Sequence, residues 1–122
     1  MFKPLETDLM LQMNALKGKI IDIHSIDNVF EAINTALGLS RIDLCSHRRY
    51  TDLVEARYIA YHFLHTELDL TSANICHYFK KDLTTVIHGL YTFAEFIEGD
   101  KIFQNKVNKV NKALFNNPFY EN

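Results

Sequence analysis

The 122-residue chain has no tryptophan, two prolines, four glycines and two cysteines. So little turn-forming punctuation argues against a many-stranded fold with frequent tight turns and favours helices. Cys45 and Cys76 do not form a Cys-x-x-Cys pair and read as reduced thiols in or near the core. No apolar run approaches the length needed to cross a bilayer. The opening Met1-Phe2-Lys3-Pro4-Leu5-Glu6-Thr7-Asp8 brings acidic residues too early for a secretory signal, so a cytoplasmic location is expected. Strong charge of either sign is missing too, since the net charge is −2 and the pI is near 6.3. A diffuse basic field for nucleic acid is excluded, and any DNA surface has to be local.

Present instead is an apolar content of 48 %, ordinary for a globular chain of one domain. At this length one core can be buried without metals or disulfides. Leu5, Leu9, Met13, Leu16 and Ile20 recur at helical spacing and predict an N-terminal helix over residues 1–24, either packed on the main body or serving as an arm to a second copy or partner. Ser25-Ile26-Asp27-Asn28 reads as a helix start, followed by the stripe Val29, Phe30, Ile33 and Leu37 and a stop at Gly38. Ser40 caps one short turn, and Cys45 to Thr51 forms a polar, partly basic loop. Leu53, Ala56, Ile59, Ala60, Phe63 and Leu64 line the next helix, with Arg57, Tyr61, His65 and Glu67 expected off that face.

Thr71 caps a short helix that buries Ile75, Cys76 and Phe79. Lys80-Lys81 make a turn, and the Asp82 carboxylate is placed to accept the free amides of the helix that follows. In that helix Val86, Ile87, Leu90, Phe93, Ala94 and Ile97 are expected to face inward, and Thr84, Thr85, His88 and Tyr91 outward. After Gly99-Asp100, residues 99–122 predict a basic amphipathic helix on Phe103, Val107, Val110 and Leu114, with a frayed tail from Asn116.

Two short helices joined by a tight turn, the second with a polar start, follow the helix-turn-helix plan, in which the second helix offers its N-terminal side chains to the major groove. Spacing alone is weak support, because many helical bundles contain such corners. The residues add more. Ala56-Arg57-Tyr58-Ile59-Ala60, then Leu70-Thr71-Ser72-Ala73-Asn74-Ile75 ending in Phe79, then Asp82-Leu83-Thr84-Thr85-Val86-Ile87-His88 follow one another in order. In this, residues 25–98 resemble the DNA-binding C-terminal domain of the bacterial replication initiator DnaA. The resemblance implies an all-α fold, a compact helical bundle with a helix-turn-helix, whose partner is double-stranded DNA.

Carried over by position, the resemblance puts Arg48 and Arg49 in the loop that enters the minor groove and Arg57 near the phosphates. Lys81 stands for the signature arginine. Asp82, Thr84 and Thr85 fall on positions that touch base edges or backbone, and His88 on the signature's final histidine. Lys80 and Lys81 are expected to grip phosphate. The sequence also departs from the family: the signature's paired glycines are replaced, the turn is one residue shorter, Glu55 stands where a basic residue is usual, and Leu83 replaces a histidine. Leu83 can meet a thymine methyl or fold back under Val86 and Ile87.

From Cys45 to Tyr91 the cations Arg48, Arg49, Arg57, Lys80 and Lys81 are balanced by Asp52, Glu55, Glu67, Asp69 and Asp82. Affinity therefore rests on which charges share a face. His62 and His65, three apart on a helix, have no second ligand pair beside them, so no metal site is expected. A phosphate-binding glycine loop is absent, and the family's ATPase engine lies upstream of this domain, so no cofactor, nucleotide or catalysis is expected. The role implied is a regulator of replication or transcription, bacterial or phage-encoded and nucleoid-associated when DNA-bound. The competing reading is a non-catalytic protein adaptor that kept the fold and lost DNA binding, which the balanced charge and Leu83 favour.

Overall fold

A computed structural model describes residues 23–115 and contains six helices and no strand among them. They are α1 (Ile23–Leu37), α2 (Arg41–Cys45), α3 (Thr51–Glu67), α4 (Ser72–Phe79), α5 (Leu83–Gly99) and α6 (Lys101–Phe115). The expected N-terminal helix over residues 1–24, its leucine stripe and the tail from Asn116 lie outside the described residues, apart from Ile23 and His24, which already belong to α1. None of the helices is long and apolar enough to cross a membrane among the described residues.

The all-α expectation holds, and most helix ends are punctuated as the sequence implies. Gly38 adopts φ +75° after α1, and its amide donates to the Asn34 carbonyl at 2.9 Å. Ser40 and Asp43 form a reciprocal capping box at α2, and Thr71 and Asn74 form another at α4. Two expectations fail at helix starts. The Ser25–Asn28 segment is inside α1, which is under way at Ile23, because Ile26, Val29, Phe30 and Ile33 carry one continuous buried stripe. Asp82 does occupy the N-cap of α5, but its side chain makes no cap bond. There the backbone alone closes the first turn, with Val86 N–H donating to the Asp82 carbonyl at 3.2 Å.

Helix α6 lies along α1 and also touches α5, closing the core with Phe103, Val110 and Leu114. α3 runs through the middle, with contacts to α1, α2, α4 and α5. Lacking tryptophan, the core is knitted by smaller rings. Phe30 and Tyr61 meet Phe79 with centroids at 5.3 and 4.9 Å, which pins α4 onto α1 and α3. His62 stacks on Phe93 at 3.9 Å, and Phe93 and Phe96 each meet Phe103 edge-on at 5.4 Å.

Tyr61 was expected off the buried face of α3 but is wholly buried. Its hydroxyl has no hydrogen-bond partner among the described residues, and burial pushes its pKa up to about 12. Ring packing offsets the desolvated hydroxyl, which by itself costs about 1–3 kcal/mol. Opposite it stands Gly89. A Cβ there would lie 2.6 Å from Tyr61 Cδ2 and 2.9 Å from Tyr58 Cδ1, so only glycine lets α5 come this close to α3.

Candidate nucleic-acid interface

Helices α4 and α5 and the turn Lys80–Asp82 form the helix-turn-helix that the sequence implies. The turn is tight because Lys80 adopts the left-handed conformation, φ 57° and ψ 45°, where the resemblance leads one to expect glycine. Its amide and that of Lys81 both donate to the Cys76 carbonyl, ending α4. A side chain in this region costs roughly 1–2 kcal/mol. The strained residue is thus a lysine whose side chain is exposed at the mouth of the turn.

The start of α5 projects from the body. Asp82, Leu83, Thr84 and Thr85 are all exposed, while Val86 is wholly buried and anchors the helix. Leu83 is 48 % exposed, so it does not fold under Val86. The inward stripe is Val86, Gly89 and Phe93, with Leu90 and Ile97 half-buried. Ile87 and Ala94, expected inward, are exposed; Ile87 is 38 % exposed and Tyr91 71 %. The reason is geometric: a helix projecting beyond its support has one narrow contact face, and Leu83, Ile87 and Tyr91, four residues apart, make a separate outward row. His88 is exposed on the next turn. Its ring lies edge-on to Tyr58 at 6.3 Å, and its Nε2 is 3.3 Å from the Thr92 hydroxyl.

Beside this helix start lies the basic loop, Ser46 to Tyr50. Arg48 and Arg49 are both exposed, as expected. Arg48 donates to Asp43 Oδ1 at 2.9 Å and to the Tyr50 hydroxyl at 3.2 Å. This surface pair is weak and easily exchanged for a phosphate. The Asp43 carboxyl is held below its ordinary pKa first by the Ser40 amide and hydroxyl, and only lastly by Arg48. Arg49 is exposed and has no acceptor among the described residues.

Arg57 is not near the surface expected for phosphate. It is 6 % exposed, its Nε donates to the Leu44 carbonyl at 2.8 Å, and its Nη2 donates to the Ser46 carbonyl at 2.7 Å. The cause is the packing of α2 against α3: α2 ends at Cys45, and its last carbonyls need donors that water cannot supply there. Burial pulls the guanidinium's pKa down, but an arginine stays charged. Lys81 is half-buried, and its Nζ donates to that same Ser46 carbonyl. Burial, and next the like charge of Arg57, pull its pKa down. Of the two turn lysines, only Lys80 is presented openly.

Sequence reasoning missed Lys106. It comes from the basic last helix, off the apolar stripe, yet donates to Glu55 Oε1 at 2.7 Å and Asp52 Oδ1 at 3.0 Å. Burial is the largest single influence and lowers its pKa, but the hydrogen bonds and charges of Glu55 and Asp52 together outweigh it and raise the pKa. Lys106 offsets one of the two negative charges at the start of α3, next to the basic loop, and covers Glu55, which stands where the family is usually basic. Lys101, Lys109 and Lys112 are exposed. Among the described residues no group of three His, Cys, Asp or Glu side chains could hold a metal ion.

This is a helix-turn-helix module with an adjoining basic loop, and comparison with known proteins places it. The profile of the family described as bacterial DnaA protein helix-turn-helix matches residues 26–92, more than half of the chain. The chain belongs to that family. It is similar to the chromosomal replication initiator protein DnaA of Campylobacter curvus (strain 525.92), with 29 % identity over 92 residues, covering 74 % of this chain and 21 % of the relative. Against the chromosomal replication initiator protein DnaA of Campylobacter concisus (strain 13826) the identity is 28 % over 115 residues, 90 % of this chain and 26 % of the relative. The chain thus spans about a fifth to a quarter of the length of these relatives. No solved structure matches it significantly.

Proposed function

We propose that this chain binds double-stranded DNA without catalysing a reaction, and that it regulates replication or transcription. The observation that carries the reading is that the exposed start of α5 and the basic loop, 35 residues apart in sequence, are joined through Lys81 and Ser46. Leu83, Thr84 and Thr85 would enter the major groove, with Asp82 at the backbone beside them. Arg48 and Arg49 would reach the adjacent minor groove, where a narrow groove concentrates negative potential. Lys80 would hold a phosphate, and His88 lies a turn further along the same helix. Membership in the DnaA helix-turn-helix family supports this, as do relatives named for initiating chromosomal replication. In this reading residues 25–98 are the DNA-binding unit, residues 99–122 brace it, and residues 1–24 are an arm for a second copy or another protein. The site needs no metal, nucleotide or other cofactor, and its setting is the cytoplasm of a bacterium, at the nucleoid, or a phage-infected cell.

Selection from a random duplex pool at low salt with the purified chain tests it. Enrichment of a short motif is the expected result; a pool that stays random through repeated rounds counts against it. The outward row Leu83, Ile87 and Tyr91 favours a second reading, a protein adaptor docking on α5. Salt separates the two, because DNA affinity falls steeply with added salt and an apolar interface does not.

A further inference from the structure

The Ser46 carbonyl is an unusual acceptor. It receives one bond from the Arg57 guanidinium, on α3, and one from the Lys81 ammonium, in the helix-turn-helix turn. A carbonyl oxygen has two lone pairs, so both donors are accommodated. Ser46 is also the root of the basic loop. Its own amide and hydroxyl donate back to the Asp43 carbonyl at 3.1 and 2.7 Å, and its hydroxyl accepts the Arg48 amide at 3.3 Å. Four elements therefore meet at one residue: the end of α2, the loop, α3 and the turn before α5.

We propose that this joint sets the position of the basic loop relative to the start of α5, and that Arg57 and Lys81 are positioning residues for DNA binding. The inference rests on the DNA-binding reading. It changes what two cations do. Arg57 is too buried to touch a duplex, and the Lys81 head group is spent on the loop. A loop arginine reaches a minor groove only if its root stands at the right distance from the helix in the major groove. Such spacing cannot be held by the loop itself, which is exposed from His47 to Tyr50. Holding both together before binding removes an ordering cost at the moment of contact. The two cations also raise the local positive potential beneath Arg49, which strengthens its pull on phosphate without either touching one.

The test uses Lys81→Met, which keeps the stem and removes the donors, with Lys81→Arg as the conservative variant. Two readouts are taken on the full chain, with circular dichroism melts confirming the fold. The first needs no DNA: amide relaxation by NMR at His47, Arg48 and Arg49. Lys81→Met should raise fast motion there, and Lys81→Arg should restore order; an equally ordered loop in Lys81→Met overturns the joint. The second is fluorescence anisotropy on a labelled duplex from the selected pool at low salt. Lys81→Met should weaken binding roughly tenfold in the wild-type background and much less in an Arg49→Ala background, because coupled residues are non-additive. An equal loss in both backgrounds makes Lys81 a direct phosphate contact and overturns the proposal. If the wild-type chain itself binds no duplex, the DNA-binding reading fails, and the relaxation arm still decides the joint.

Discussion

Gly89→Ala is a single added methyl at the contact that seats α5 on α3. The new carbon would stand 2.6 and 2.8 Å from two ring carbons of Tyr61 and 2.9 Å from one of Tyr58. Carbon atoms rest at about 3.5–4.0 Å, so roughly 1 Å of clearance must be found. Tyr61 cannot supply it cheaply, being wholly buried and wedged edge-on against Phe79. Overpacking of this kind costs about 1–3 kcal/mol. Alanine gains back about 1 kcal/mol of helix propensity over glycine. With an immobile neighbour the upper part of the range applies, leaving a net loss of about 1–2 kcal/mol, or a melting temperature lower by about 4–8 °C. Urea or thermal unfolding measures it. Gly99→Ala is the control, since nothing lies within 4 Å of its Cβ, and it should be neutral or slightly stabilising. A Gly89→Ala protein more stable than wild type by about 1 kcal/mol would show propensity alone and refute the close approach. Because Gly89 is one turn beyond Thr85, the same change should displace the start of α5 and weaken duplex binding beyond the stability loss.

Other changes separate folding from binding. Lys80→Gly relieves a left-handed side chain, so it should stabilise the fold by about 1 kcal/mol, while lowering the slope of log affinity against log salt by about one unit. Thr84→Ala and Thr85→Ala should lower discrimination between the selected and a random duplex more than total affinity, by about 1–3 kcal/mol for a good base contact; equal weakening on both duplexes would argue against base contact. His62 has its pKa lowered first by burial and then by His65. The folded state thus takes up its proton at lower pH than the unfolded state, so stability should fall as pH drops below about 6.5, and His62→Phe should flatten that fall in unfolding curves at pH 7 and 5.

What the sequence reveals here is what local spacing encodes. The stripes on α3 and α6, the capping residues Ser40 and Thr71 and the stop at Gly38 are all local signals, and each appears where its pattern puts it. The misplaced residues are those whose surroundings are set from far away. Arg57 reads as a surface cation on a helix wheel, and only the packing of α2 against α3 turns it inward to free carbonyls. Tyr61 looks outward until α4 brings Phe79 against it. Ile87 looks inward because an apolar residue beside Val86 fits a wider contact face than α5 has. Lys106 meets its carboxylates across more than fifty residues of chain, beyond any local pattern. The exposure of the candidate site is legible in outline for the same reason. Exposed Arg48, Arg49, Leu83, Thr84 and Thr85 follow from turn and cap positions, whereas the Ser46 joint needs the tertiary fold.

Binding of duplex DNA by the loop arginines is tested most directly by anisotropy of a labelled, selected duplex with wild type and with Arg48→Ala plus Arg49→Ala, across a salt series. With no net charge in the segment around them to hold DNA diffusely, the two arginines should be indispensable. Both are exposed, so the double variant should lose no more than about 0.5 kcal/mol of stability per site. The expected result is a wild-type affinity that falls steeply with salt and a variant, equally well folded, with no measurable binding at moderate salt. Unchanged duplex affinity in a folded variant would contradict the assignment and move α5 and its apolar row to a protein partner.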